Sequence, residues 1–254
     1  MPRALAISVD PRREEEELRC YLGDAYDRAR LERYEQQLEQ ELERVGDEAT
    51  FYRTSEGYLY NLTAFAMTGT KLPYLRELTR AAPPGARVLD YGCGIGSDGL
   101  ALAEAGYRVA FADFDNPSTR YLRWRLARRG LQADVYDLDR KPPPAAFDLA
   151  YAFDVIEHVD DPFDFLARME RCARLVVVNL LERLPGETEL HRELPVGELL
   201  SHAVGCGLLR YRRFHGRSHL VVYGTGAGGP LRSRAQLWLG RFASRAARIL
   251  PRSR

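Results

Sequence analysis

Several large classes of protein are excluded by what this chain lacks. No apolar run approaches the roughly 20 residues that a bilayer-crossing helix needs. Four cysteines in 254 residues, Cys20, Cys93, Cys172 and Cys206, are too few and too scattered for a disulfide scaffold, and they show no metal-ligand spacing. The first ten residues lack the apolar stretch of a secretory signal, so a reducing cytoplasm is the expected location. Repeats are missing, and the only low-complexity stretch is a short glycine-rich linker at 224–229. Lysine occurs twice, as Lys71 and Lys141, so arginine carries nearly all the positive charge.

What remains is an ordinary globular composition, 45% hydrophobic and 29% charged, which argues against disorder. The net charge of +1 hides an asymmetry: residues 230–254 hold seven arginines and no acid, so the rest of the chain carries −6. In this tail Trp238, Phe242, Ala246 and Ile249 fall on one helical face and arginines on the other. Such a helix suits either an anionic membrane surface or docking on the acidic body of this chain or of a twin subunit.

Along the chain, helical periodicity runs from Arg12 to Val45, divided at Gly23 and Asp24, with Asp24 expected to cap the second helix and to pair with Arg28. An aromatic segment follows, with Phe51, Tyr52, Tyr58, Tyr60 and Phe65, and it reads as a wall or lid. After the breaker at 81–85, short apolar runs alternate with helical stretches. Strands are expected at 87–91, 108–113, 133–137, 147–153 and 175–180, and helices at 97–105, 118–129 and 162–172. The last strands, 209–214 and 218–223, are separated by only His215, Gly216 and Arg217, too short for a crossover, so they should pair antiparallel. Three units follow: an N-terminal helical extension with the aromatic lid at 1–80, a catalytic α/β unit at 81–224, and the linker with the basic helix at 225–254.

The most informative segment is Val88-Leu89-Asp90-Tyr91-Gly92-Cys93-Gly94-Ile95-Gly96, an apolar strand that ends in an acid and enters three alternate glycines opening a helix. Glycine suits a tight turn that a bulky ligand approaches, and the carboxyl edge of an open α/β sheet is where ligands bind. No Lys-Ser or Lys-Thr follows, which argues against a triphosphate loop. A dinucleotide fingerprint would want Gly or Ala where Ser97 stands, and it would leave Asp137 and the Glu157-His158 loop unaccounted for.

The motif resembles that of the class I S-adenosylmethionine (SAM)-dependent methyltransferases, and the likeness continues in order from Val88 to Tyr223. The resemblance implies a Rossmann-like, doubly wound, mainly parallel seven-stranded sheet with an antiparallel C-terminal hairpin. It also implies SAM as cofactor, with Gly92, Cys93, Gly94 and Gly96 passing beneath its methionine part and Asp90 holding the ammonium. Asp113 would bind the ribose hydroxyls, Phe114 would contact adenine, and Asp137 with Leu138 would close the adenine pocket. Phe153, at the end of the fourth strand, is counted with them. The string Asp154-Val155-Ile156-Glu157-His158-Val159 is typical of the family's small-molecule members. It lacks the Pro-Pro-aromatic run of enzymes that methylate DNA bases, so a small-molecule acceptor such as a phenol, a quinone-like ring or a natural-product intermediate is expected, and no DNA. An RNA or protein methyltransferase using the basic tail, or a SAM-binding protein without turnover, are the alternatives.

Methyl transfer needs a general base only when the acceptor is a neutral hydroxyl or an acidic carbon. His158 is the first candidate, since imidazole titrates near neutral pH. His191, in the insertion after the fifth strand, is the second. Arg53 is a candidate for the SAM carboxylate, and Tyr58, with Tyr52 and Tyr60, either closes over SAM or packs the N-terminal helices onto the sheet. Glu157, His158, Asp160 and Asp161 read as an exposed acidic loop, and no metal is expected.

Overall fold

The computed structural model describes residues 7–184 and 191–225, except for the side chains of Glu35, Gln37 and Ala49. The arginine-rich tail and its expected helix lie outside the described residues.

Seven strands form one sheet: β1 (Arg87–Tyr91), β2 (Arg108–Asp113), β3 (Val135–Asp137), β4 (Phe147–Ala152), β5 (Ala173–Leu181), β6 (Leu208–Phe214) and β7 (Ser218–Gly224). Their order is β3-β2-β1-β4-β5-β7-β6. The pairings of the first five are parallel, whereas β7 runs antiparallel to both β5 and β6. The expected hairpin is therefore present. His215 and Gly216 both have positive φ at its turn, the left-handed pair that matches the twist of adjoining strands.

The strands are apolar at nearly every position because helices cover both faces. Val176 and Val178 of β5 pack in one layer with Leu166 and Met169 of α9 (Pro162–Cys172) and Leu199 and Ala203 of α10 (Val196–Cys206). Val177, between them, points into the other layer, with Leu75 and Leu78 of α6 (Leu72–Ala81), Leu100 of α7 (Ser97–Glu104) and Leu122 of α8 (Pro117–Arg128). Helix starts follow local chemistry. Asn116 and Thr119 form a reciprocal capping box before α8, with Pro117 in its first turn, and Asp161 caps α9 ahead of Pro162.

The N-terminal part differs from expectation in detail. Its helices are α1 (Pro11–Leu22), α2 (Arg28–Glu32), α3 (Tyr34–Val45), α4 (Glu48–Thr54) and α5 (Tyr58–Met67), with a 3-10 turn at Gly23–Ala25. Asp27, not Asp24, is the cap, because the 3-10 turn moves the helix start past Asp24. Arg28 pairs with Glu32 and Glu15 instead of Asp24.

A buried ionic cluster joins α1 to α8 and to the glycine loop. Arg125 on α8, with no exposed side-chain surface, donates to Glu14 and, at 2.7 Å, to Glu17. It also donates to the Ile95 carbonyl and the Ser97 hydroxyl, each at 2.9 Å, and Ser97 donates to Glu14 at 2.6 Å. Arg129 adds bonds to both glutamates. Burial pushes Glu17 up, but Arg129 and Arg125 outweigh it and hold the carboxyl below its usual range. The extension is thus fastened to the residues on either side of Gly96, at the mouth of the glycine loop.

Candidate functional site

The carboxyl ends of β1 to β4 share one edge, and the acids of the sequence motifs meet there. Asp113 and Asp137 are register partners, and Asp90 lies between Phe111 and Tyr151. The loop after β1 turns through Gly92, Gly94 and Gly96, all with positive φ. A Cβ at Gly92 would come within 2.6 Å of Val155, and one at Gly96 within 2.4 Å of Leu122. At these two positions glycine is demanded by the turn and by packing neighbours of the protein itself.

Asp113 accepts the backbone N–H groups of Gly94 and Phe114, each at 2.7 Å, so this carboxylate also pins the loop. Asp90 is 5% exposed, and burial, aided by Asp98, pushes its carboxyl up to about 8. Among these acids sits Lys71, a residue to which sequence reasoning gave no role. Its Nζ donates to the Phe153 carbonyl at 2.8 Å and lies 3.8 Å from both Asp98 and Asp154. Burial pulls the ammonium down, yet Asp98 and Asp154 outweigh it and hold it above its ordinary value. A small pocket of about 50 Å3 opens beside it, lined in part by Phe65, Lys71, Cys93, Ile95 and Asp98.

Other residues lie where their chemistry is already engaged. Arg53 pairs with Asp139 and its guanidinium lies 4.5 Å over the Phe114 ring, so it belongs to the Phe114 end of the edge and not to the Lys71 end. Asp137 accepts from Asp139 N–H and pairs with Arg140, and Leu138 N–H donates to the Asp113 carbonyl. The Phe153 side chain is buried against Tyr74 and Tyr151, so only its backbone faces the site. Burial holds the Cys93 thiol protonated.

The loop after β4 is the second half of the site. Asp154 adopts a left-handed φ of 55°, held by a two-way bridge: its N–H donates to Asn179 Oδ1 at 2.8 Å and its carboxylate accepts from Asn179 Nδ2 at 2.6 Å. Glu157 is not part of an exposed loop. It is 1% exposed, and neither carboxylate oxygen has a hydrogen-bond partner among the described residues. Burial, with Asp154 nearby, pushes it up to about 8. Asp160 is exposed and pairs with Arg192, and Asp161 serves α9. The Tyr52 hydroxyl and His158 Nδ1 are 3.1 Å apart, and the His158 and His191 rings approach to 5.0 Å. Glu157, His158 and His191 each bring a donor atom within 4.8 Å of the others. Of the aromatic segment, Tyr52 and Tyr58 stack edge-on at this point. Tyr60 is spent elsewhere, donating to the Ala25 carbonyl and accepting Asp27 N–H.

A doubly wound sheet with a glycine-cornered loop and acids at successive strand ends defines a Rossmann-like enzyme that takes a nucleoside cofactor. Residues 68–203 match the methyltransferase domain family. The chain belongs to that family and is a class I SAM-dependent methyltransferase. It is 34% identical over 169 residues to the ubiquinone biosynthesis O-methyltransferase of Xanthomonas campestris pv. campestris (strain B100), an alignment covering 62% of this chain and 67% of that one. Among solved structures, 1,6-didemethyltoxoflavin-N1-methyltransferase of Burkholderia thailandensis superposes with a TM-score of 0.50 at 21% identity, over 61% of this chain and 77% of that one. The [4+2]-cyclase SpnF superposes with a TM-score of 0.52 at 17% identity, over 61% and 81%. These two likenesses concern the fold alone. Among the described residues no helix is long and apolar enough to cross a membrane.

Proposed function

We propose that this enzyme transfers the methyl group of SAM to a hydroxyl on a small aromatic acceptor of the phenol or quinone type. The observation that carries the reading is the convergence of Tyr52 from α4 and His191 from the segment after β5 on Glu157 and His158 in the loop after β4, next to the edge where Asp90, Asp113 and Lys71 gather. Similarity to a ubiquinone biosynthesis O-methyltransferase supports oxygen as the acceptor atom.

The donor set fits SAM. Asp90 suits the ammonium and Lys71 the carboxylate of its amino-acid end, Asp113 suits the ribose hydroxyls, and Phe114, 36% exposed, offers a ring face to adenine. Arg53, expected at the carboxylate, is replaced there by Lys71 and instead covers one face of Phe114. SAM when bound supplies a methyl group on a positively charged sulfur, so the protein's main task is alignment, which contributes about 7–11 kcal/mol in favourable cases. His158 takes the proton of the acceptor hydroxyl, Tyr52 fixes the imidazole, and Tyr52 with Tyr58 walls off water. The basic tail, which follows the last described anchor at Thr225, is assigned in this reading to an anionic membrane or a twin subunit.

Asp113→Ala tests the cofactor half. Each bond lost to a charged acceptor costs about 1.5–3 kcal/mol, so calorimetry should show SAM affinity falling by at least tenfold. Unchanged SAM affinity with weakened NAD binding would overturn the assignment. Lys71→Ala should weaken S-adenosylhomocysteine by roughly ten- to a hundredfold and leave 5′-methylthioadenosine, which lacks the amino-acid end, unaffected. Equal losses for both ligands would remove Lys71 from the carboxylate.

A further inference from the structure

A second group of ligating side chains lies on the helices that cover β4, β5 and β7, apart from the site above. His202 and Cys206 are four residues apart on α10, so they share one face of that helix. Glu170, near the end of α9, reaches them from the side. His202 Nε2 lies 2.6 Å from Glu170 Oε1 and 3.5 Å from Cys206 Sγ, and the three donor atoms fall within 4.8 Å of one another. Thiolate, imidazole and carboxylate are the donors zinc prefers, bound at about 2.3, 2.0–2.1 and 2.0–2.2 Å. A tetrahedron with those bond lengths has a nitrogen-to-sulfur edge of roughly 3.5 Å, the separation seen here. The nitrogen-to-oxygen distance of 2.6 Å is about 0.8 Å shorter than the edge of roughly 3.4 Å that such a tetrahedron has, so the Glu170 carboxylate has to draw back by about that much when the ion enters.

The surroundings agree with this use. Tyr223 OH donates to Glu170 Oε1 at 2.9 Å, the kind of outer bond that orients a ligating carboxylate. The rings of Phe163 and Tyr223 stand edge-on to His202 at 6.1 and 6.2 Å and restrict its rotation. The His202 side chain is 30% exposed, which leaves an entry path and room for a water as fourth ligand. Burial, with Glu170 close by, raises the Cys206 thiol, so without an ion the sulfur keeps its proton.

We infer that Glu170, His202 and Cys206 form a zinc-binding site that braces α9 against α10. Zn2+ binds the Cys206 sulfur as thiolate, one proton leaves to solvent, and neutral His202 and ionised Glu170 complete the protein ligands without any redox change. Helix α9 follows the loop of His158 and α10 follows the segment of His191, so the brace holds the elements that carry both histidines.

The test is titration of the chelator-stripped full chain with Co2+ and then Zn2+. One equivalent of Co2+ should give a near-ultraviolet thiolate-to-cobalt band together with intense visible bands of a tetrahedral ion, and Zn2+ should displace both. Cys206→Ser should abolish the thiolate band, and His202→Ala should weaken Zn2+ by roughly tenfold or more, while both variants melt normally without metal. The cluster of Glu157, His158 and His191 contains no sulfur and cannot produce the thiolate band. Its absence in the unaltered protein, whatever the variants do, overturns the site, as does a band that survives Cys206→Ser.

Discussion

Replacing His158 by alanine should lower turnover by roughly 10²–10⁴ while leaving SAM affinity nearly intact. The size follows from the role: a general base acts only in the transition state, so its loss appears in kcat and not in cofactor binding. Tyr52 makes the prediction sharper. Its hydroxyl lies 3.1 Å from His158 Nδ1 and holds the ring plane. Tyr52→Phe should therefore reproduce part of the loss, and His158→Ala in the same chain should add little beyond its own effect. The check is single-turnover kinetics on an aromatic hydroxyl acceptor alongside calorimetry with S-adenosylhomocysteine. Equal losses in rate and affinity would give His158 a structural role, and an unchanged rate would pass the proton to His191 or leave alignment as the sole device.

The second large effect concerns stability. Arg125 has no exposed side-chain surface and faces Glu14 and Glu17, each 3% exposed. Alanine at this position leaves two buried carboxylates with only Arg129 to answer them, and breaking a buried pair from one side costs about 3–5 kcal/mol. For a protein of this length that is a melting temperature lower by roughly 6–20 °C, measurable by calorimetry. The pH dependence has a definite sign. The Glu17 carboxyl is held below its ordinary value of 4.5 in the folded state, so its share of stability is present above that value and is lost as pH falls through the folded one. Arg125→Ala should flatten this acid-side slope together with the loss of stability, Arg129 keeping part of it. Because Arg125 also holds the Ile95 carbonyl and Ser97, SAM affinity should fall as well. A variant as stable as the parent would mean that water reaches the cluster and that α1 is not fastened through it.

Local signals were enough for the centre of the fold. The run from Val88 to Gly96 needs only an apolar strand, a terminal acid and alternate glycines, all within nine residues, and it forms β1, its loop and the start of α7. The bounds of β2 and α9 and the antiparallel hairpin were legible for the same reason, since period, caps and loop length are properties of neighbours in the chain. Helix α10 was missed because it follows an insertion with no strong periodic or capping signal, its N-cap being Pro195 without a side-chain bond.

Which acids are exposed is a different kind of fact. Glu157 and Asp160 stand three residues apart in the same polar string, yet one is buried and the other is open to water. Lys71 precedes β1 by 16 residues and carried no motif, but α6 brings its ammonium among Asp98, Asp154 and Asp90. Arg125 and Glu14 are separated by 111 residues, and Cys206 meets Glu170 only because α9 and α10 lie on the same face of the sheet. By itself the sequence determined the order of the strands, the helices between the first strands, the glycine loop and the cofactor class, because hydrophobic period, turn chemistry and helix capping act over a few residues. Only the tertiary structure decided which ionisable side chains are buried and which partners they meet, because desolvation and charge pairing depend on distances between segments that are remote along the chain.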